Sequence, residues 1–291
     1  MDRRAFVHTA ALTAMNLQTL DQLTAAQPKA ERQPAIFIGH GSPMNIIRDN
    51  GFTRSLADLG RRHGKPGSAL VISAHWLTRN ETSVSVNPKP PTVHDFGGFP
   101  EELYRIEYPA PGSPVAAHEA AAEVSSIKVH EDHEMGLDHG AWSILRHIWP
   151  EADVPVFQMS IDYARPPQFH YDLGKELRRL RDRGVLIIGS GNIVHNLRRL
   201  SPQENDPKHM DWAVEFDAWA GQRLAGNDHS ALVHYDQQGP AARLAVPTND
   251  HYLPMLYTLG ALHEDEHIRF THESFQHGSI SMRCFESISL N

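Results

Sequence analysis

The sequence predicts an α/β fold: a single domain whose mixed, mostly parallel central sheet is flanked by helices, with a metal site at the carboxyl edge of the strands. Three observations predict it. Short, almost continuously apolar runs alternate with longer amphipathic stretches from residue 34 onward, the pattern of parallel strands covered on both faces. No Pro/Gly/Ser-rich linker and no internal repeat breaks that alternation, so residues 34–291 read as one domain. The chain also carries 20 histidines, several of them just after apolar runs.

Residues 1–33 stand apart as an N-terminal extension. Asp2-Arg3-Arg4-Ala5-Phe6-Val7 has the look of a twin-arginine export signal, and a mild apolar stretch follows from Ala10 to Leu20. Asn16 and Gln18 interrupt that stretch and no clear cleavage site follows it. A degenerate signal therefore competes with a short amphipathic helix. The expected compartment is the cytoplasm, or the periplasm if the Arg3-Arg4 segment works as an export signal.

Residues 35–38, 69–73, 154–159 and 185–188 are the apolar runs and read as central strands. Helices are expected over 114–126, 141–148, 169–182 and 210–224. The last places Trp212, Phe216 and Trp219 on one face, the arrangement of a core-facing helix. Residues 279–285 alternate and read as one further strand, which gives the single cysteine, Cys284, a packing role. One cysteine excludes an intramolecular disulfide. A net charge of −8 with scattered Lys and Arg argues against nucleic acid as a partner. No run of 18 apolar residues exists, so no membrane span is expected.

In open α/β sheets, ligands bind beyond the carboxyl ends of strands. His40 follows the first strand, His75 the second, and His195 lies shortly after the 185–188 run. His251 stands at an expected helix start in Asn249-Asp250-His251-Tyr252-Leu253-Pro254. A lone histidine after a strand is more often a hydrogen-bonded structural residue than a ligand. Three on successive strand ends of one edge can converge, and imidazoles suit Zn, Fe, Cu or Ni. His139 begins a helix with Asp138 as its N-cap, and is either a proton donor beside the site or a polar helix start. The segment His94-Asp95-Phe96-Gly97-Gly98-Phe99-Pro100 reads either as a surface loop or as a lid whose Phe96 and Phe99 bound an aromatic substrate. His229, His263, His267 and His272 sit in polar surroundings and read as solvated. No G-x-S-x-G elbow, Walker loop or complete dinucleotide fingerprint is present.

At these residues the chain resembles the class III extradiol ring-cleavage dioxygenases, in their DOPA 4,5-dioxygenase-like branch. The likeness is carried by Gly39-His40-Gly41-Ser42-Pro43-Met44-Asn45, Ser73-Ala74-His75-Trp76, the 94–100 segment, Tyr108-Pro109-Ala110-Pro111-Gly112-Ser113-Pro114, Asp138-His139-Gly140, Ser190-Gly191-Asn192-Ile193-Val194-His195-Asn196 and His251-Tyr252-Leu253-Pro254. It implies one divalent metal per chain, held by His40, His75 and His251, with His195 either a fourth ligand or the base beside the metal. It implies His139 as a second catalytic residue. Asp250 stands where many relatives are expected to carry Glu. The implied metal is Fe(II) for catalysis, with Zn(II) readily retained, and the implied partners are a small catecholic substrate and O2. The implied reaction opens the ring to a muconic semialdehyde, with DOPA 4,5-cleavage as the name-giving case. Two other readings stay open: a zinc-dependent hydrolase on the same scaffold, and a non-catalytic binding protein. Oligomeric state is not readable from the sequence.

Overall fold

Alternation within each apolar run decides which face of the sheet each side chain enters, and both faces are covered. The computed structural model describes residues 31–289, so the Arg3-Arg4 segment lies outside the described residues. The central sheet has six strands: β1 (Ala35–Gly39), β2 (Ser68–Ser73), β3 (Val156–Gln158), β4 (Val185–Gly191), β5 (Glu266–His272) and β6 (Cys284–Ser289). Their spatial order is β3-β2-β4-β1-β6-β5. The first four pair in parallel, β6 runs antiparallel to β1, and β5 antiparallel to β6. The sheet is therefore mixed and mostly parallel.

Phe37, Leu70, Ile72 and Ile187 enter one core, whereas Ile36, Ile38, Val71 and Ile188 enter the other. The first core is closed by helices α2 (Pro114–Glu123), α4 (Pro167–Leu177), α5 (Asp211–Ala225) and α6 (Leu253–Gly260), the second by α1 (Gly51–His63) and α3 (His139–Ile148). Each fully buried aliphatic or aromatic side chain contributes about 1.5–3 kcal/mol of transfer free energy. Phe216 on α5 is buried, and Trp212 and Trp219 pack half-buried against the same core. Gly189 and Gly191 let α6 and the turn before it lie directly on β4. A Cβ on Gly191 would stand 2.1 Å from the His251 carbonyl oxygen, and one on Gly189 2.4 Å from that of Pro254.

The expected helix over 169–182 is α4 followed by a 3₁₀ stretch, Arg178–Arg183. The expected strand over 279–285 is divided. Ile280–Ser281 pairs with Phe275–Gln276 in a separate hairpin, and the main-sheet strand starts at Cys284. The break falls at Met282 and Arg283, where the Arg283 guanidinium turns inward to Asp217, with Nε–H and Nη2–H donating at 3.1 and 2.6 Å, and the pairing partners change across it. Cys284 is fully buried, and burial raises its thiol to about 12, in keeping with packing. His229, His267 and His272 are half-buried rather than solvated, bonded to the Tyr171 hydroxyl, Asn227 and Ser274 respectively. No helix among the described residues is long and apolar enough to cross a membrane.

Candidate metal centre

The order β2-β4-β1 sets three neighbouring strand ends side by side, so the chain leaving each arrives at one edge. His40 and His75 follow β1 and β2 directly, and His195 follows β4 after a short turn. His251 comes from a fourth segment, docked on β4 because the Asn192 N–H donates to the His251 carbonyl at 2.8 Å. One nitrogen from each of His40, His75 and His251 lies within 4.8 Å of the others. His195 joins a different group, with Asp250 and His251, and its ring stacks on that of His251 at 3.5 Å between centroids and 9° between planes. His139 stands on the other side, 3.9 Å from His75 between centroids, and forms a group with His75 and Asp95.

Hydrogen bonding fixes which nitrogen His40, His251 and His139 present. The Ser190 hydroxyl donates to the Gly140 carbonyl at 2.5 Å, so it can only accept from His40 Nδ1–H at 2.9 Å. His40 Nε2 is left with its lone pair. The Asp250 carboxylate accepts from His251 Nδ1–H, with the same result for His251 Nε2. Asp95 accepts from the His139 backbone N–H at 2.8 Å and from His139 Nδ1–H at 2.9 Å, and its Oδ2 lies 3.5 Å from His75 Nδ1. Beneath these, the buried Asp138 caps α3 at Ala141 and takes hydrogen bonds of 2.6 Å from both Ser73 and Gln158. Gly140 must be small here, since a Cβ would meet Ser73 Oγ at 2.4 Å and His75 Cδ2 at 2.9 Å.

The electrostatics keep His40, His75 and His195 neutral. Burial, and then the charges of neighbouring histidines, push His40 and His75 well below the ordinary imidazole value. The same causes bring His195 down to about 3. Burial raises Asp138, whereas at Asp250 the hydrogen bond and charge of His251 outweigh burial and hold the carboxyl well below its usual range. Neutral imidazoles with oriented lone pairs are what a divalent cation requires. His40 Nε2 and His75 Nε2 stand 3.2 Å apart. Two nitrogens on one ion at about 2.0–2.1 Å are separated by roughly 3.0–3.4 Å, so the donor set fits a metal.

A cavity of about 410 Å³ opens onto these rings. Phe96 and Phe99 line it, with Phe96 edge-on to His139 at 5.4 Å, so the 94–100 segment is part of the site wall. Leu197, Leu200, His277 and Ile280 complete the apolar side. Sequence reasoning singled out none of these four, nor Asp95 and Ser190 as the partners that orient His139 and His40. For Asp95 the available signal was a carboxylate inside an aromatic loop; for Ser190 it was a hydroxyl between the two glycines of Gly189-Ser190-Gly191.

Fold and donor set together define an α/β protein with a metal-ligating cluster beside an aromatic-walled cavity. The family model for the catalytic LigB subunit of aromatic ring-opening dioxygenase matches residues 34–283, and the chain belongs to that family of metal-dependent extradiol dioxygenases, oxidoreductases that act on a small aromatic substrate with O2. It is 43% identical over 256 residues to the 4,5-DOPA dioxygenase extradiol of Escherichia coli K12, covering 86% of this chain and 93% of the relative. It is 36% identical over 263 residues to the protein of the same name from Beta vulgaris, covering 87% and 96%. The crystal structure of an uncharacterized protein from Escherichia coli K12 superposes with a TM-score of 0.76 at 37% identity, covering 88% of this chain and 99% of that one.

Proposed function

We propose that this protein cleaves a catechol beside its two hydroxyl-bearing carbons, giving a muconic semialdehyde, with Fe(II) held by His40, His75 and His251. The observation that carries this reading is the convergence of one imidazole nitrogen from each of three histidines within 4.8 Å of one another, at the floor of an aromatic-walled cavity. A bound ferrous ion supplies a Lewis acid and a template for catechol and O2. The protein does the rest. Phe96 and Phe99 seat the ring and keep water from it. His139 has its Nδ1–H committed to Asp95, so its Nε2 is an acceptor for a catechol hydroxyl proton. His195 lines the cavity outside the group of three and is the second proton carrier; burial holds its ring neutral. Asp95 keeps His139 in its tautomer, as Ser190 does for His40.

Anaerobic loading with Fe(II) or Zn(II), followed by O2 uptake against a small catechol panel that includes DOPA, tests this. Stoichiometric O2 consumption with a yellow product, in the Fe(II) form only, is expected. Turnover that needs no O2 and runs on zinc would replace the reading with a hydrolase.

A further inference from the structure

The cavity lining divides by chemistry. The histidines of the centre form one part, and Pro43, Phe96, Phe99, Leu197, Leu200 and Ile280 form an apolar wall. No Lys or Arg lines the cavity among the described residues. Arg198 and Arg199, beside Leu197 and Leu200 in the chain, are exposed and do not line it. A carboxylate carried on the ring would therefore find no Lys or Arg along this wall, in a protein whose net charge is already −8.

Two polar side chains outside the centre interrupt this wall, Ser42, whose hydroxyl accepts the Met44 N–H at 3.2 Å, and His277. His277 lies in the turn of the 275–281 hairpin with φ +52°, followed by Gly278 at +69°. A residue with a Cβ adopts that conformation only when its surroundings impose it. Here they do so on both sides. The His277 N–H donates to the Glu204 carbonyl at 2.6 Å, and its own carbonyl accepts from the Ser201 N–H at 2.8 Å. The ring is pinned as well, because Nδ1 lies 3.0 Å from the Ser201 carbonyl and must donate to it. With Nδ1–H donating, Nε2 is the ring's remaining acceptor, in a wall whose other side chains, Ser42 apart, are apolar.

We infer that the cavity selects catechols by the group the ring carries, favouring a neutral substituent that ends in a hydrogen-bond donor placed on His277 Nε2, and rejecting a carboxylate. This rests on the ring-cleavage reading and names the substrate class within it. The relatives' printed names refer to DOPA, whose side chain carries a carboxylate, so the preference expected here differs from the one those names suggest.

The test uses the full chain loaded with Fe(II). Four probes are compared: 4-ethylcatechol, 4-(2-hydroxyethyl)catechol, 4-(carboxymethyl)catechol and DOPA. Calorimetry without O2 gives Kd, and O2 uptake gives kcat/KM. The hydroxyethyl compound is expected to bind about tenfold more tightly than the ethyl compound, the factor of one neutral hydrogen bond. Both carboxylates are expected to bind at least about tenfold more weakly than the hydroxyethyl compound. His277→Gly suits the turn's backbone and removes the acceptor, so the hydroxyethyl-to-ethyl ratio of Kd collapses toward one while the melting temperature holds. A carboxylate that binds as well as the hydroxyethyl compound, or a ratio unchanged in His277→Gly, overturns the inference. Catechols that bind in the expected order but are never cleaved overturn the ring-cleavage reading instead, and with no binding at all both fall.

Discussion

Two buried polar clusters sit at opposite edges of the same sheet, and they differ in what they leave unspent. At the amino edge, Arg181 donates to the Gln33 and Ala261 carbonyls at 2.8 and 2.6 Å, to both oxygens of Glu266, and to the Ser287 hydroxyl at 2.9 Å. Every direction of that guanidinium has a partner. At the carboxyl edge, His40, His139 and His251 each spend one nitrogen on the protein and keep the other. A buried group whose bonding is complete holds a fold together; one left half-bonded by its own neighbours is prepared for a ligand. Burial alone separates the two clusters poorly, since His40 and Glu266 are almost equally enclosed.

The largest effect that would break the comparison lies at the metal edge. His40→Ala, His75→Ala or His251→Ala is expected to abolish stoichiometric metal binding and lower turnover by more than the roughly 10–100-fold that losing an orienting partner costs. Metal analysis after dialysis, read beside the O2 electrode, checks it, and full occupancy in any of the three would remove that residue from the ligand set. At the other edge Arg181→Met strands Glu266 without its partner, which should cost about 3–5 kcal/mol in urea unfolding and leave metal stoichiometry untouched. A loss of metal there would mean that the two edges are not independent. Asp95→Asn is smaller. It keeps the shape of the loop but offers His139 an amide in place of a carboxylate, and kcat/KM should drop about 10–100-fold with the metal still bound. An unchanged rate would show that His139 needs no orienting partner.

The smallest effect concerns protons away from both edges. His170 accepts from the Tyr257 hydroxyl at 3.0 Å, and burial brings it down to about 4. A histidine that stays neutral in the fold binds fewer protons than it does unfolded. Its contribution is therefore present above the unfolded value of about 6.5 and is lost as pH falls toward about 4. His170→Gln should flatten the acid side of a stability-versus-pH curve for the metal-free protein between those values. An unaltered slope would mean that other groups carry it.

Much of the site was legible before any coordinates. Continuous apolar runs at 35–38, 69–73 and 185–188 announce strands buried on both faces, and a histidine after each announces an edge. Asp138 reads as an N-cap from its place before a helix, and its carboxylate accepts the Ala141 N–H. The strand expected over 279–285 went wrong because alternation reports which way side chains point and says nothing about which neighbour each residue pairs with. At Met282 and Arg283 one pairing ends and another begins, with the Arg283 guanidinium turned to a carboxylate 66 positions away.

The sequence by itself determined the four parallel strands of the sheet, the edge on which chemistry would sit, and three of the histidines brought there; the edge strand Glu266–His272 was not read from it. Those are consequences of local periodicity and of which residue follows a strand. Only the tertiary structure decided that His251 joins His40 and His75 while His195 stacks alongside, that Ser190 and Asp250 turn two imidazoles so that Nε2 faces the cavity, and that His277 stands in its wall. Each of these depends on hydrogen bonds, packing or strand order rather than on periodicity. A hydrogen bond selects its partner by distance and direction, and neither is written in the spacing of residues along the chain.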